Sequence, residues 1–390
     1  MLQTIELIDF KNHVDTKIRL QRLTFLVGPN GAGKTGVLQG IALGAAALRD
    51  SRAIAPGGSD AALARRGSPG YRLSFAGDAL PDAGNNAGPT LWVLEVSSTD
   101  AVSFRLGGRK ADLGDRDGRL FADPPLLQEA KIAVGPARLL RLDAPRLAAP
   151  SFLGSVDAKL DHDGSGLAST IAHLMTYERE RFSTLEQQLI ELVPSVLSIR
   201  VRRVEMKRPT PGTSTTQAGR LLALLDDKED ANHEPVIGDE LVLDTRSGKE
   251  LPASALSEGT LILLGLLTFL TEPEPPRLLL IDDLDRSLHP RAQTQLIDLL
   301  RKTLDQHPDL QIVATSHSPY LIDELNDDEV WVLNLRDDGT AAACLADHPD
   351  AERFRGVLRT GEFLTSVGED WVIGPVNSDK GDAHAAGTDR

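Results

Sequence analysis

Apolar and polar positions along this chain predict alternating strands and helices. LQTIELIDF pairs its apolar residues in the manner of a strand. A second apolar run, within KIRLQRLTFLVG, leads into the glycine-rich stretch GPNGAGKT, and the following VLQGIALGAAAL has helix-forming composition. From about Asp50 to Gly88, Gly, Ala, Ser, Pro and Asp dominate and periodicity fades, which predicts loops and short elements. LWVLEVSS and AVSFRLGG read as two antiparallel strands across a polar turn. The chain is irregular again over Pro150 to Gly166. LASTIAHLMTYERERFSTLEQQLIELV then carries apolar residues at helical spacing until Pro194 ends it.

IRVRRVEMKR reads as a strand with a charged edge. Pro209 to Gln217 and the acidic run Asp226 to Asp230 read as loops bracketing a helical AGRLLALL. ELVLDTRSGKELPAS predicts a hairpin turning near Ser247-Gly248. GTLILLGLLTFL reads as helix, and RLLLIDD as a buried parallel strand. The last stretch, around NSDKGDAHAAGTDR, is polar and is expected to be disordered. No long heptad array occurs, so no extended coiled-coil arm is encoded. The alternation points to an α/β fold. Its expected divisions are an N-terminal lobe over 1–165, a helical insert lobe over 166–275, a core segment over 276–375 and a tail over 376–390.

Composition narrows the class. The 390 residues are 41% hydrophobic and 25% charged, ordinary for a globular protein. The longest apolar stretch, Leu261 to Leu270, is too short to cross a bilayer, and the N-terminus lacks a secretion signal. A single cysteine, Cys344, excludes an intrachain disulfide, fits a reducing cytoplasm and reads as a packed small residue. A net charge of −15 argues against sequence-independent DNA binding by the whole surface. A local patch remains open: Arg200, Arg202, Arg203, Lys207 and Arg208 serve either as charge protection of a strand edge or as a nucleic-acid or partner contact.

GPNGAGKT supplies the first chemistry. Gly28, Pro29, Asn30, Gly31, Ala32, Gly33, Lys34 and Thr35 fit the pattern G-x-x-x-x-G-K-[ST], in which glycines let backbone N–H groups turn inward around a triphosphate. Lys34 then reaches the β- and γ-phosphates, and the Thr35 hydroxyl ligates Mg²⁺. Asp282 and Asp283 end an apolar strand. In a phosphate-loop protein the first carboxylate holds Mg²⁺ and the second polarises the attacking water. DHDGSG, Asp161 to Gly166, has acids at calcium-loop positions one and three and glycine at six, but position twelve is Ala172 rather than glutamate, so it reads as a turn feeding a helix.

ALSEGT (Ala255 to Thr260) before the acidic strand and QIVATSHSP (Gln311 to Pro319) after it complete a constellation that resembles the nucleotide-binding domains of the ABC superfamily. The resemblance implies that Ser257, Glu258 and Gly259, in LSEGT, form a signature loop meeting the γ-phosphate bound by an opposite subunit. It also makes His317 the switch residue of its own subunit. The opening strands and loop are similar to RecF/SMC/OLD-type ATPases, and IDDLDRSLHPRAQ followed by ATSHSPYLIDEL is similar to the OLD-like subset, with GEFLTSVGEDWV resembling the tail of small members. By that likeness His289 takes the place of the D-loop aspartate. The resemblance covers residues 1–45 and 250–375.

The family likeness implies Mg-ATP as ligand; no guanine-reading NKxD motif occurs. It implies a head-to-head homodimer, or a higher oligomer, that ATP closes and hydrolysis opens. The expected role is an ATP-driven switch for a separately encoded effector, such as a nuclease or toxin, in phage defence or DNA processing, with DNA as a candidate partner. An ATP-gated scaffold with negligible turnover is the alternative, and a transporter ATPase is disfavoured by the opening strands and the LHP element. Only about 70 residues follow the histidine strand, without the acidic pattern of a TOPRIM nuclease. The usual catalytic glutamate is Asp283 here, one methylene or about 1.5 Å shorter. A misplacement of about an ångström costs roughly 100-fold in rate, so slow hydrolysis is expected. Gln128 is the candidate Q-loop glutamine by its position alone.

Overall fold

The N-terminal alternation builds an antiparallel sheet. β1 (Leu2–Phe10) pairs with β2 (His13–Arg19), placing Ile5 opposite Ile18 and Phe10 opposite His13. β3 (Leu23–Val27) is buried at every position, as a strand covered on both faces must be. It runs into the phosphate loop and helix α1 (Lys34–Arg49). A computed structural model describes residues 1–49, 63–77, 90–97, 102–106, 109–114, 137–152, 160–207, 235–272 and 276–373.

Where loops and short elements were expected, the structure has a strand, β4 (Gly70–Gly77). Tyr71, Leu73 and Phe75 alternate into the core while Arg72 faces outward, a period-two signal that the surrounding Gly/Ala-rich composition obscures. β5 (Thr90–Ser97) and β6 (Val102–Leu106) are the antiparallel pair expected from LWVLEVSS and AVSFRLGG, and β7 (Arg109–Gly114) extends them. The six strands follow the order β2-β1-β4-β5-β6-β7.

A second six-stranded sheet takes β8 (Ala137–Leu140) at one edge. Helices α2 (Leu167–Tyr177) and α3 (Arg179–Leu192) follow where one continuous helix was expected. The break falls at Glu178, with φ −132° and ψ 55°, whose carboxylate lies between His173 and Arg181. α3 stops two residues before Pro194, which cannot continue a helix. β9 (Val196–Lys207), β10 (Pro235–Thr245) and β11 (Gly248–Pro252) form a three-stranded antiparallel sheet with β9 at its edge, and the last two are the expected hairpin, Thr245 facing Gly248. α4 (Glu258–Leu270) is buried from Gly259 to Phe269.

The central sheet is completed by β12 (Leu278–Ile281), β13 (Gln311–Thr315), β14 (Val330–Arg336) and β15 (Gly339–Cys344), with α5 (Pro290–Gln306) between β12 and β13 and α6 (Thr360–Val367) near the end. Its order is β15-β14-β3-β13-β12-β8, and β12, β13, β3 and β14 run parallel. β12, β13 and β3 therefore end side by side, where open α/β sheets gather ligands.

The chain divides into two compact units. One comprises Met1–Leu139, Pro276–Arg286 and Gln293–Arg390; the other comprises Leu140–Pro275 and Ser287–Ala292. In the first, buried Gln311 ties the two sheets together. Its side chain accepts from Leu2 N–H (3.1 Å) and donates to the carbonyls of Leu2 (2.7 Å) and Gln21 (2.8 Å). Helix α1 lies on the antiparallel sheet through a glycine row: a Cβ at Gly40 would stand 2.5 Å from Leu7, and one at Gly44 2.3 Å from the Phe75 ring. Each helical glycine costs about 1 kcal/mol relative to alanine, offset here by close packing of large side chains. The second unit is cored by Leu167, Ile171, Leu185, Leu189, Ile199, Leu241, Leu243 and the leucines of α4.

Candidate functional site

The phosphate loop turns where its glycines permit. Gly28, Gly31 and Gly33 have φ of +137°, +83° and +100°, and a Cβ at Gly28 would lie 1.9 Å from the Leu333 carbonyl oxygen of β14. Pro29, Asn30 and Gly31 are exposed at its crest, and Ala32 is buried beneath. Lys34 is buried, its Nζ donating to the carbonyls of Gly28 (2.8 Å) and Pro29 (3.0 Å). Burial pulls its pKa down, against the opposing pull of Asp283, Asp282, Asp285 and Glu369.

Thr35, in the first turn of α1, meets Asp282 just past the end of β12. The Thr35 hydroxyl donates to the Asp282 carboxylate, 3.1 Å from Oδ1 and 3.2 Å from Oδ2. Thr315, at the end of β13, sets both acids: its hydroxyl donates to Asp282 Oδ1 (2.9 Å) and accepts from the Asp283 N–H (2.7 Å). Asp283 is exposed and has φ +54°, an uncommon conformation for a residue with a side chain. His317 is exposed one strand over, its N–H donating to Asp285 Oδ1 (3.1 Å). Lys34, Thr35, Asp283 and His317 line one cavity of about 320 Å³, together with Lys11 from the β1–β2 turn and His13 at the start of β2. A hydroxyl and a carboxylate in contact are a hard-oxygen pair of the kind Mg²⁺ takes alongside phosphate oxygens, so the residues present fit Mg-ATP.

Ser257, Glu258 and Gly259, the residues expected to form a signature loop, cluster within the second unit. Ser257 caps α4, its Oγ accepting from the Thr260 N–H (3.2 Å) and lying 2.8 Å from Thr260 Oγ1. Glu258 accepts from the Ser287 hydroxyl (2.8 Å). A Cβ at Gly259 would lie 2.4 Å from the Ser287 carbonyl oxygen, so only glycine fits there. Ser287 itself has φ +59°. His289 opens α5, its Nδ1 accepting from the Arg291 N–H (3.3 Å), with Pro290 as the first helical residue.

Other sequence features resolve simply. Asp161 to Gly166 form a tight turn into α2, with Ser165 N–H on Asp163 Oδ1 (3.0 Å) and Gly164 and Gly166 both at φ +90°; no acidic or histidine cluster suited to a metal occurs among the described residues. On β9, Arg200, Arg202 and Arg203 pair with Asp244 (2.8 Å), Glu240 (2.5 Å) and Asp239 (3.1 Å) of β10. Each of these arginines is thus balanced by a carboxylate on the neighbouring strand, which favours edge protection over an anion surface. The Lys207 side chain, Arg208, Gln128, the segments 209–217, 218–225 and 226–230 and the tail from 374 lie outside the described residues. Cys344 is buried, which raises its thiol pKa. No helix among the described residues is long and apolar enough to cross a membrane.

Sequence reasoning missed Thr315, Gln293 and the β1–β2 turn. Gln293 is buried and links the Asp285 carbonyl to the Ser318 hydroxyl beside His317. Thr315 could have been suspected as the polar end of an apolar strand two residues before the histidine.

Comparison with known proteins bears on the family and the fold. The family described as "AAA domain, putative AbiEii toxin, Type IV TA system" matches residues 23–323. Among solved structures, an SMC head bound to the C-terminal winged-helix domain of ScpA superposes with TM-score 0.55 at 16% identity, covering 88% of this chain and 96% of that one. A Pyrococcus furiosus complex of an SMC head with the C-terminal domain of ScpA gives 0.53 at 15%, covering 91% and 99%. An SMC head with coiled coil and joint from Pyrococcus yayanosii gives 0.55 at 10%, covering 91% and 98%. At such identities the likeness is one of fold. The Septu protein PtuA of Bacillus thuringiensis is 39% identical over 61 residues, 16% of this chain; the chain spans about 15% of that relative's length. The chain belongs to this AAA-domain family, and its fold is the ABC-type phosphate-loop ATPase head of the RecF/SMC kind.

Proposed function

We propose that this protein is an Mg-ATP hydrolase that works as a conformational switch, closing as a homodimer around ATP and controlling a separately encoded effector. The observation that carries the reading is the single cavity lined by Lys34, Thr35, Asp283 and His317, with Asp282 on the Thr35 hydroxyl. Lys34 and the loop amides would hold the β- and γ-phosphates; Thr35 and Asp282 would hold Mg²⁺. There Mg²⁺ would supply positive charge to offset the charge of the phosphates. Asp283 would accept a proton from the attacking water, and His317 would hydrogen-bond the γ-phosphate.

Ser257 and the Gly259 backbone, from a second copy, would complete the γ-phosphate contacts and make closure depend on ATP. A role in phage defence rests on the OLD-like motifs, and the short likeness to a Septu protein leans the same way. The effector is a separate nuclease or toxin, and the site of action is the cytoplasm. DNA is the weaker partner candidate, since the β9 arginines are already paired.

One observation favours the scaffold alternative: Asp283 is short and sits on a backbone with φ +54°. Steady-state Mg-ATP turnover, with and without duplex DNA and with Lys34→Ala as blank, separates the readings. Turnover above the blank supports the switch. Tight binding with no turnover supports the scaffold, and wild type binding no better than Lys34→Ala overturns both.

A further inference from the structure

The β1–β2 turn grips the phosphate loop from outside. His13 is fully buried, although it stands at the first position of β2, next to the turn. Its Nε2 lies 3.1 Å from the Gly33 carbonyl oxygen and its Nδ1 3.0 Å from Thr16 Oγ1. Beside it, Asn12 Nδ2 donates to the Gly31 carbonyl (3.2 Å), and the Asn12 carbonyl accepts from the Thr340 N–H (2.8 Å). Two glycines leave room for the ring. A Cβ at Gly33 would stand 2.9 Å from Cε1 and Nε2, and one at Gly36 2.8 Å from Nε2. Gly36 thereby begins the row that Gly40 and Gly44 continue, with an imidazole in place of the apolar side chains further along.

The partners settle the tautomer. The Gly33 carbonyl can only accept, so Nε2 carries the proton, and the single Thr16 hydroxyl proton is shared between Nδ1 and the Thr340 carbonyl (3.2 Å). The Gly33 carbonyl also accepts the first helical bond of α1, from the Val37 N–H (3.1 Å), so both its lone pairs are used. The Gly33 C=O and the Lys34 N–H belong to one trans peptide plane and point in opposite directions. A ring that holds the carbonyl on one side therefore fixes the direction of the Lys34 amide on the other.

We propose that His13, through its Nε2–H on the Gly33 carbonyl, is a positioning residue that orients the Lys34 backbone amide for phosphate binding. The proposal rests on reading the cavity as an Mg-ATP site. It assigns His13 no contact with the reacting atoms. Its effect falls on nucleotide affinity, raising KM when lost and leaving kcat at saturating ATP little changed.

The test compares His13→Gln with His13→Asn. A glutamine amide nitrogen takes the reach of Nε2, whereas an asparagine amide reaches only the place of Nδ1. His13→Leu refills the volume without any donor. Mg-ATP affinity of the purified full chain is measured by calorimetric titration, with thermal unfolding of each variant in parallel. Loss of a hydrogen bond to a buried carbonyl predicts binding about tenfold weaker in His13→Asn and His13→Leu. His13→Gln is expected within about threefold of wild type. The proposal is overturned if His13→Leu or His13→Asn binds as wild type does, or if His13→Gln weakens binding as much as they do. Failure of wild type itself to bind would strike the Mg-ATP reading instead, which keeps the two apart.

Discussion

His13 shows how one buried side chain makes stability depend on pH. Its pKa is lowered from 6.5 to about 4, chiefly by burial, with the Gly33 carbonyl opposing and Lys11 adding to the drop. The unfolded chain takes up a proton near pH 6.5 that the folded chain refuses until about pH 4. The stability tied to a neutral His13 is therefore present above pH 6.5 and lost as pH falls towards 4. At pH 5 the loss amounts to about 2 kcal/mol. Urea midpoints of wild type and His13→Gln at pH 7.5 and pH 5 isolate this contribution from the carboxylates, which titrate in both. Wild type is expected to lose about 2 kcal/mol more than the variant, and parallel losses would mean that the ring titrates freely in the folded chain.

Elements carry the next set of consequences. Replacing Gly44 by alanine should improve the helix propensity of α1 by about 1 kcal/mol. It also sets a methyl 2.3 Å from a ring of the antiparallel core, and overpacking of this kind costs about 1–3 kcal/mol. Phe75 is buried and stacked on Trp92 at 5.8 Å, so it has little room to yield, and a net fall in melting temperature is expected by calorimetry. At the start of α4, Ser257→Asp keeps an N-cap of equal quality while adding a negative charge where a partner's γ-phosphate would arrive. Unfolding should change little, and ATP-driven dimerisation should disappear from sedimentation profiles. Loss of stability instead would assign Ser257 to the fold alone. Much of this architecture was legible in the sequence. β3, β12 and β13 stood out because strands buried on both faces need continuous apolar runs, and each ends on the polar residues of the site. β4 was missed because its alternation is embedded in glycine and alanine. His13 and Thr315 were missed for a different reason: their partners lie 20 residues away at Gly33 and 33 away at Asp282, and only the sheet order brings those pairs together.

At the scale of the whole molecule, the switch reading makes a demand that motifs alone do not. Moving a monomer–dimer balance from 1:99 to 99:1 needs about 5.5 kcal/mol of differential binding, and a ligand held equally by both states shifts nothing. Each chain carries a formal charge of −15, so association has to overcome repulsion between like-charged copies. Contacts to the γ-phosphate made from two chains at once can supply that difference, because they exist only in the closed state and only with the triphosphate. Asp283→Ala, which leaves Thr35 and Asp282 in place but removes the expected proton acceptor, should therefore accumulate as a dimer with Mg-ATP. It should remain monomeric with Mg-ADP, and Lys34→Ala should remain monomeric with either nucleotide. Light scattering coupled to size-exclusion chromatography reads the mass directly. A mass that doubles with ATP and not with ADP is the expected result. A mass that ignores the nucleotide would leave the phosphate loop as a binding site and remove the head-to-head switch.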